Sequence, residues 1–117
     1  TVLTPHRGEM KMLGGSPDDF AEKNGVTLLV KGKVDIITDG KRKKKNDFGT
    51  PSMTVGGTGD TLAGVVGCLL AKGMSTFDSA RTAAYITCRA GELADDEWGL
   101  GLTPVELAEK IPKVFEE

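Results

Sequence analysis

The segment MTVGGTGDTLAG, residues 53–64, combines residue types that phosphate chemistry uses. It holds four of the chain's 16 glycines, with Asp60 among them and an apolar run after it. Gly56, Gly57 and Gly59 let the backbone turn sharply and approach a ligand closely. If a helix begins here, its first turn offers unpaired N–H groups and a partial positive charge. The segment therefore predicts an anion hole suited to a phosphoryl group.

The carboxylate of Asp60 is not explained by phosphate binding, because it would repel a phosphate beside it. It is well placed to accept the proton of a hydroxyl group that attacks phosphorus. The structural alternative is a glycine loop in which Asp60 interacts only with the helix dipole. The segment fits neither of two nucleotide motifs: the last glycine of a dinucleotide fingerprint comes two places late, at Gly64, and Val65 and Val66 replace the Lys and Ser/Thr of a P-loop.

Two further segments carry candidate ligand-binding side chains. TPHRGE, residues 4–9, follows a β-prone run and contains the only histidine, His6. Loops that follow strands are where open α/β sheets bind ligands, although a solvated loop histidine is the alternative. KGKVD, residues 31–35, ends a buried apolar run with a glycine that exposes backbone. It is either a nucleotide-binding turn or a bare turn.

Two charged runs have simpler interpretations. KRKKK, residues 41–45, falls on the return strand of a predicted hairpin, where lysines protect an exposed sheet edge. Its charge could still attract an anionic ligand. The acidic run at residues 95–97 is typical of a solvated helix end, and we see no set of converging ligands for a metal ion.

The overall composition excludes several classes of protein. The net charge of −2 over 117 residues gives no basic field for nucleic acid, and no apolar run is long enough for a membrane span. The two cysteines, Cys68 and Cys88, fit helical patterns and are expected to be buried small hydrophobes in a reducing compartment. These observations favour a cytoplasmic location.

The elements that must position these residues follow from periodicity and caps. Ser16, Pro17 and Gly25 predict the start and end of a short helix. The run from Val26 predicts a strand buried on both faces, and Asp39-Gly40 predicts the turn of a hairpin. Three later helices follow; they are predicted near Leu62 to Gly73, from Ser75 with a stripe of small residues, and from Thr103. This order favours an α/β layer structure.

The sequence resembles those of the ADP/ATP-dependent NAD(P)H-hydrate dehydratases in four motifs. In chain order these motifs are TPHRGEM, KG, GTPSMTVGGTGDTLAG and RAGELA. These ribokinase-like enzymes repair hydrated nicotinamide cofactors. The resemblance implies that residues 1–117 are the C-terminal portion of such a domain. The implied fold is part of a three-layer α/β/α sandwich, with a mostly parallel sheet, a β-hairpin and C-terminal helices.

The resemblance also implies a reaction and roles for residues. ADP or ATP, accompanied by Mg²⁺, would phosphorylate the hydroxyl of NAD(P)H hydrate, and elimination of phosphate would restore the nicotinamide ring. Asp60 would accept the proton and contact the hydrate, which His6 would also bind. The remaining matches are Gly57, Thr58 and Gly59 for the anion hole, and Lys31, Gly32, Lys33, Val34, Asp35 and again Gly59 for the nucleotide.

Two departures from the family's pattern leave alternatives open. One departure lies at the family's AGDLA motif, where residues before and within the motif differ from the usual ones. The residues found here are Thr87, Cys88 and Glu92, and we interpret the difference as a packing variation. The N-terminal half of the domain is absent, so the first strand would keep an open edge. We therefore expect a homo-oligomer, or association with the missing half. The alternatives are a ribokinase-like small-molecule kinase and a non-catalytic fragment that associates with itself.

Overall fold

The structure is a computed structural model that describes residues 1–47, 57–99 and 102–117. Strands and short helices come first in this chain, and three longer helices follow the hairpin. In chain order the elements are β1 (Val2–Leu3), α1 (Arg7–Leu13), α2 (Pro17–Asn24), β2 (Thr27–Val30), β3 (Asp35–Thr38), β4 (Lys43–Asn46), α3 (Thr58–Ala71), α4 (Thr76–Trp98) and α5 (Pro104–Phe115).

The four strands form one sheet in the order β1-β2-β3-β4. β1 pairs with β2 in parallel, whereas β2–β3 and β3–β4 are antiparallel. The predicted hairpin is confirmed, and its connection spans residues 39–42 because the Asp39 carboxylate accepts the N–H groups of Lys41 and Arg42. We expected a mostly parallel sheet. Within the described residues, the β1–β2 pair is parallel, and the two pairs that involve the hairpin strand β3 are antiparallel.

Helices cover both faces of the sheet, which confirms the expected three-layer arrangement. All four residues of β2 are buried, and they alternate between two cores. Leu28 and Val30 pack on the side that contains Met10 of α1 and Ala21 of α2. Leu29 packs in the larger core with residues of α3, α4 and α5. A strand that is apolar on both faces is what this double coverage requires.

The small-residue stripe of α4 lies entirely in the interior. Small side chains let a helix approach its neighbours closely, and α4 contacts α3, α5 and the sheet. Thr87 is buried in this stripe, and its hydroxyl has no hydrogen-bond partner among the described residues. The buried stripe consists of Ala80, Ala83, Ala84, Thr87, Ala90, Gly91 and Ala94.

One helix was not predicted, and it changes the placement of His6. Residues 4–9 were expected to form a loop, but α1 begins at Arg7 and His6 is its N-cap. The helix buries only Met10, so it leaves almost no periodic signal. Histidine is also not among the usual capping residues. The predicted caps of α2 and α4, Ser16 and Ser75, are both confirmed.

The expectation of two buried cysteines is wrong for Cys68. Cys88 is buried in α4, but Cys68 is exposed on α3. The outer face of α3 carries small residues, Ala63, Gly64 and Gly67, so apolar character surrounds the whole helix and does not reveal which side is buried. None of the described helices combines the length and the apolar character needed to cross a membrane.

Candidate functional site

The candidate site lies where β1 and β2 end beside the beginning of α3. Just after β1, His6 forms a parallel backbone bridge with Lys31, and the Lys31 N–H donates to the Pro5 carbonyl at 2.9 Å. The Lys31 side chain then reaches α3, because a β-carbon added to Gly59 would lie 2.8 Å from Lys31 Nζ. The structure thus brings together the three segments singled out from the sequence, at the sheet edge where open α/β folds bind ligands.

Gly57 is the N-cap residue of α3 and provides no side-chain cap. Gly57 has a φ of 97°, and a β-carbon there would lie 2.7 Å from Cγ of Pro104 at the start of α5. Its carbonyl accepts the N–H groups of Asp60 and Thr61 at 3.1 and 3.3 Å. Both the backbone conformation and the contact with α5 therefore require glycine at this position. Gly56 and the rest of the preceding segment, residues 48–56, lie outside the described residues.

The ammonium group of Lys31 stands beside the positive end of the α3 dipole. A cation is unfavourable at a helix N-terminus unless an anion accompanies it. The carboxylate of Glu9 also feels this charge: the His6 backbone N–H lowers the pKa of the Glu9 carboxyl, and the charge of Lys31 lowers it further. Helix and ammonium group together form a site that a phosphoryl group fits.

The side chain of Asp60 is exposed in the first turn of α3. It borders an open cavity of about 580 Å³ between α3 and α5. The carboxylate is therefore free of apolar packing and can meet a ligand, as a proton acceptor must. The cavity is lined by Gly57, Asp60, Thr61, Pro104, Val105, Ala108 and Glu109.

His6 is exposed and oriented by a reciprocal cap with Glu9. The Glu9 N–H donates to His6 Nδ1 at 3.1 Å, and the His6 N–H donates to Glu9 Oε1 at 3.0 Å. Nδ1 is therefore occupied as an acceptor and does not donate to a ligand in this arrangement. Nε2 lies 3.2 Å from Glu9 Oε1. The structure thus places His6 at the site with both ring nitrogens facing Glu9.

The turn at residues 32–34 is held from inside by Asp35. Asp35 Oδ1 accepts the Gly32 N–H at 3.1 Å, and Oδ2 faces Asn46 Nδ2 at 3.5 Å and Cys88 Sγ at 3.8 Å. Burial raises the pKa of the Asp35 carboxyl, although the bond from Gly32 opposes this. Burial, with the nearby Asp35 charge, also raises the pKa of Cys88 to about 12. In this arrangement the Asp35 side chain shapes the turn, and Cys88 is an inert thiol that packs against it.

Sequence patterns did not point to Arg7, which also contacts this turn. Arg7 Nη2 donates to the Val34 carbonyl at 3.1 Å, and a β-carbon on Gly32 would lie 2.5 Å from Arg7 Nε. Arg7 stands between His6 and Gly8, in a position where its residue type carries no motif. The only signal was its location in the candidate segment.

No cluster of three or more His, Cys, Asp or Glu residues suited to a metal ion occurs in the described part of the chain. The described ranges thus offer no carboxylate cage. An ion such as Mg²⁺ usually keeps several waters and is bound through one or two carboxylates and substrate phosphates.

Comparison with known sequences identifies the family. A family profile described as NAD(P)H-hydrate dehydratase matches residues 1–113. The chain belongs to the NAD(P)H-hydrate dehydratase family. One relative in this family is the ADP-dependent (S)-NAD(P)H-hydrate dehydratase of Cenarchaeum symbiosum, which is 44% identical over 97% of this chain and 44% of its own length.

Solved structures agree with the family assignment and the ribokinase-like fold. The ADP/ATP-dependent NAD(P)H-hydrate dehydratase of Bacillus subtilis, co-crystallised with ATP/Mg²⁺ and soaked with CoA, superposes with a TM-score of 0.89 and 26% identity, over 98% of this chain and 48% of that one. A ribokinase-like superfamily protein from Enterococcus faecalis gives 0.81 and 26%, over 98% and 43%. The chain spans less than half the length of these proteins.

Proposed function

We propose that this chain provides the nucleotide site and the catalytic base of an ADP/ATP-dependent NAD(P)H-hydrate dehydratase. The observation that carries the proposal is the arrangement at the start of α3. There, the Lys31 ammonium group and a helix N-terminus without a side-chain cap could hold a phosphoryl group, and the exposed Asp60 carboxylate stands in the first turn of the same helix. The family membership supports this assignment.

In the proposed reaction, the hydrate's hydroxyl oxygen attacks the terminal phosphorus of ATP or ADP. The O–P bond forms as the bond to the leaving nucleotide breaks, and Asp60 accepts the hydroxyl proton. Elimination then breaks the C–O bond of the phosphate ester and a C–H bond on the adjacent ring carbon, whose proton passes to water. A ring double bond forms between these two carbons, inorganic phosphate leaves, and the reduced nicotinamide is restored. Backbone dipoles at Gly57, Thr58 and Gly59 offset the negative charge that develops on the phosphoryl oxygens.

The other predicted residues have distinct parts in this proposal. Lys31 neutralises phosphate charge, and the turn at residues 32–35, which includes Lys33 and Val34, borders the nucleotide. His6 binds the hydrate. Mg²⁺ would arrive with the nucleotide phosphates, whose charge it neutralises.

The relatives extend well beyond the matched region, so this chain is expected to act together with another segment or copy. Within the described sheet, β1 pairs only with β2, and an open strand edge favours pairing with a further strand. We expect light scattering of the isolated chain to detect a dimer or a larger species. A stable monomer would contradict this expectation.

The proposed activity is tested by incubating the protein with NADH hydrate, Mg²⁺ and either ADP or ATP. Recovery of the absorbance of reduced nicotinamide, dependent on nucleotide and matched by release of phosphate, is the expected result. Transfer of phosphate to a small alcohol without any recovery from the hydrate would replace the proposal with a ribokinase-like kinase.

A further inference from the structure

Arg7 connects two segments to which the proposed function gives different ligands. It is the first residue of α1, directly after the hydrate-binding candidate His6. Its guanidinium group crosses to the nucleotide-binding turn, where it donates to the Val34 carbonyl at 3.1 Å. The same group lies against Gly32, in the space that a β-carbon would fill.

We propose that Arg7 is a positioning residue that couples the binding of the nucleotide to the binding of the hydrate. The inference rests on the proposed function and adds to it a residue to which no motif gives a role. When the hydrate binds at His6 and fixes the position of α1, it also fixes Arg7. Arg7 then holds the turn that begins at Lys31. The nucleotide therefore meets a turn that is already in place.

The geometry favours coupling through Arg7. The planar guanidinium group presents five donors in a rigid fork, so it can hold a carbonyl while its flat face covers Gly32. The two segments are also joined through the backbone, by the bond from the Lys31 N–H to the Pro5 carbonyl. That bond fixes the beginning of the turn, whereas Arg7 fixes its far end at Val34.

The coupling is measured from the nucleotide KM at low and at saturating hydrate. In the unaltered protein, saturating hydrate should lower the nucleotide KM by roughly fivefold or more. In Arg7→Ala the two KM values should become equal, while kcat and the melting temperature change little. Arg7→Gln should recover part of the coupling, because its amide can still donate to the Val34 carbonyl.

Arg81→Ala is the matched control. Arg81 is exposed near the start of α4. This end of α4 bonds to the first residue of β2, from Thr27 to Thr76, whereas Lys31 follows the last residue of β2. Its removal should leave the coupling intact. Coupling that survives in Arg7→Ala, or that is lost equally in Arg81→Ala, would overturn the proposal.

A double-mutant cycle tests the contact itself. Gly32→Ala should weaken the coupling as Arg7→Ala does, because the added methyl group displaces the guanidinium group. In the Arg7→Ala background the methyl group meets no guanidinium, so the double variant should behave like Arg7→Ala alone. Additive losses would show that the two residues act independently and would contradict the proposal. A protein that processes no hydrate at all would instead refute the proposed function.

Discussion

Helices α3 and α4 begin in opposite ways. Ser75 precedes α4, and its hydroxyl oxygen accepts the Asp78 N–H at 3.2 Å. Gly57 precedes α3 and provides no side-chain cap, and the cation Lys31 approaches the same turn. A capping side chain typically contributes about 1 kcal/mol. In α4 a side chain of the protein itself therefore caps the N-terminus and stabilises the helix. The N-terminus of α3 has no such cap and is suited to an anion from outside the chain.

The acidic residues in the two first turns show the same contrast. Asp78 accepts the Ser75 hydroxyl at 3.0 Å, so its carboxylate belongs to the cap. Asp60 borders the open cavity between α3 and α5. Two aspartates at similar helix positions are thus given different roles by their surroundings, one structural and one available for chemistry.

The largest expected effect comes from removing the charge of Asp60. Asp60→Asn should lower kcat by about 100-fold or more, because the amide cannot accept the hydroxyl proton. The nucleotide KM should stay within a few-fold, since the anion site is intact. Steady-state kinetics with NADH hydrate measures both values.

Asp78→Asn is the control for that prediction, because it changes the equivalent residue of α4. Its kcat should match that of the unaltered protein. Equal losses of kcat in both variants would erase the distinction between the two helix starts.

A smaller effect is expected from adding a methyl group at Gly59. In Gly59→Ala the methyl group would meet Lys31 Nζ and push the ammonium group away. We expect the nucleotide KM to rise roughly tenfold, which corresponds to about 1.4 kcal/mol of binding free energy.

Gly64→Ala is the matched variant on the same helix. A β-carbon there has no neighbour within 4 Å, so alanine should stabilise the protein by up to about 1 kcal/mol without changing KM. If Gly64→Ala raised the KM as much as Gly59→Ala, the contact with Lys31 would not be the cause.

The smallest effect should follow from removing the α4 cap. Ser75→Ala should lower the free energy of unfolding by about 1 kcal/mol, because the Asp78 N–H loses its acceptor. Chemical denaturation measures the loss, and the nucleotide KM should not change. A rise in KM would mean that the cap of α4 supports the site as well as the fold.

Local chemistry made much of the fold predictable. Ser16 before Pro17, and Thr103 before Pro104 with Glu106 following, marked helix starts that the structure confirms. These signals are readable because a cap and its partner lie within a few residues of each other. The exposure of Cys68 was not readable, because α3 is apolar or small on every side.

The site was predictable as a set of segments, but its contacts were not. The motifs pointed to His6, Lys31 and Asp60 separately. The approach of Lys31 to Gly59 and the bond from Arg7 to Val34 join residues 28 and 27 positions apart in the chain. Such distances depend on how the sheet and helices pack, which periodicity and caps do not encode.

Phosphate binding at the start of α3 is tested most directly by titrating the isotopically labelled protein with ATP and Mg²⁺ and following its backbone amide signals. The amides of Thr58 and Gly59 should shift progressively as the phosphate binds, whereas that of Asp78 in the capped turn of α4 should stay in place. Saturable binding of ATP that leaves both of these α3 amides unshifted would show that the start of α3 does not hold the phosphate.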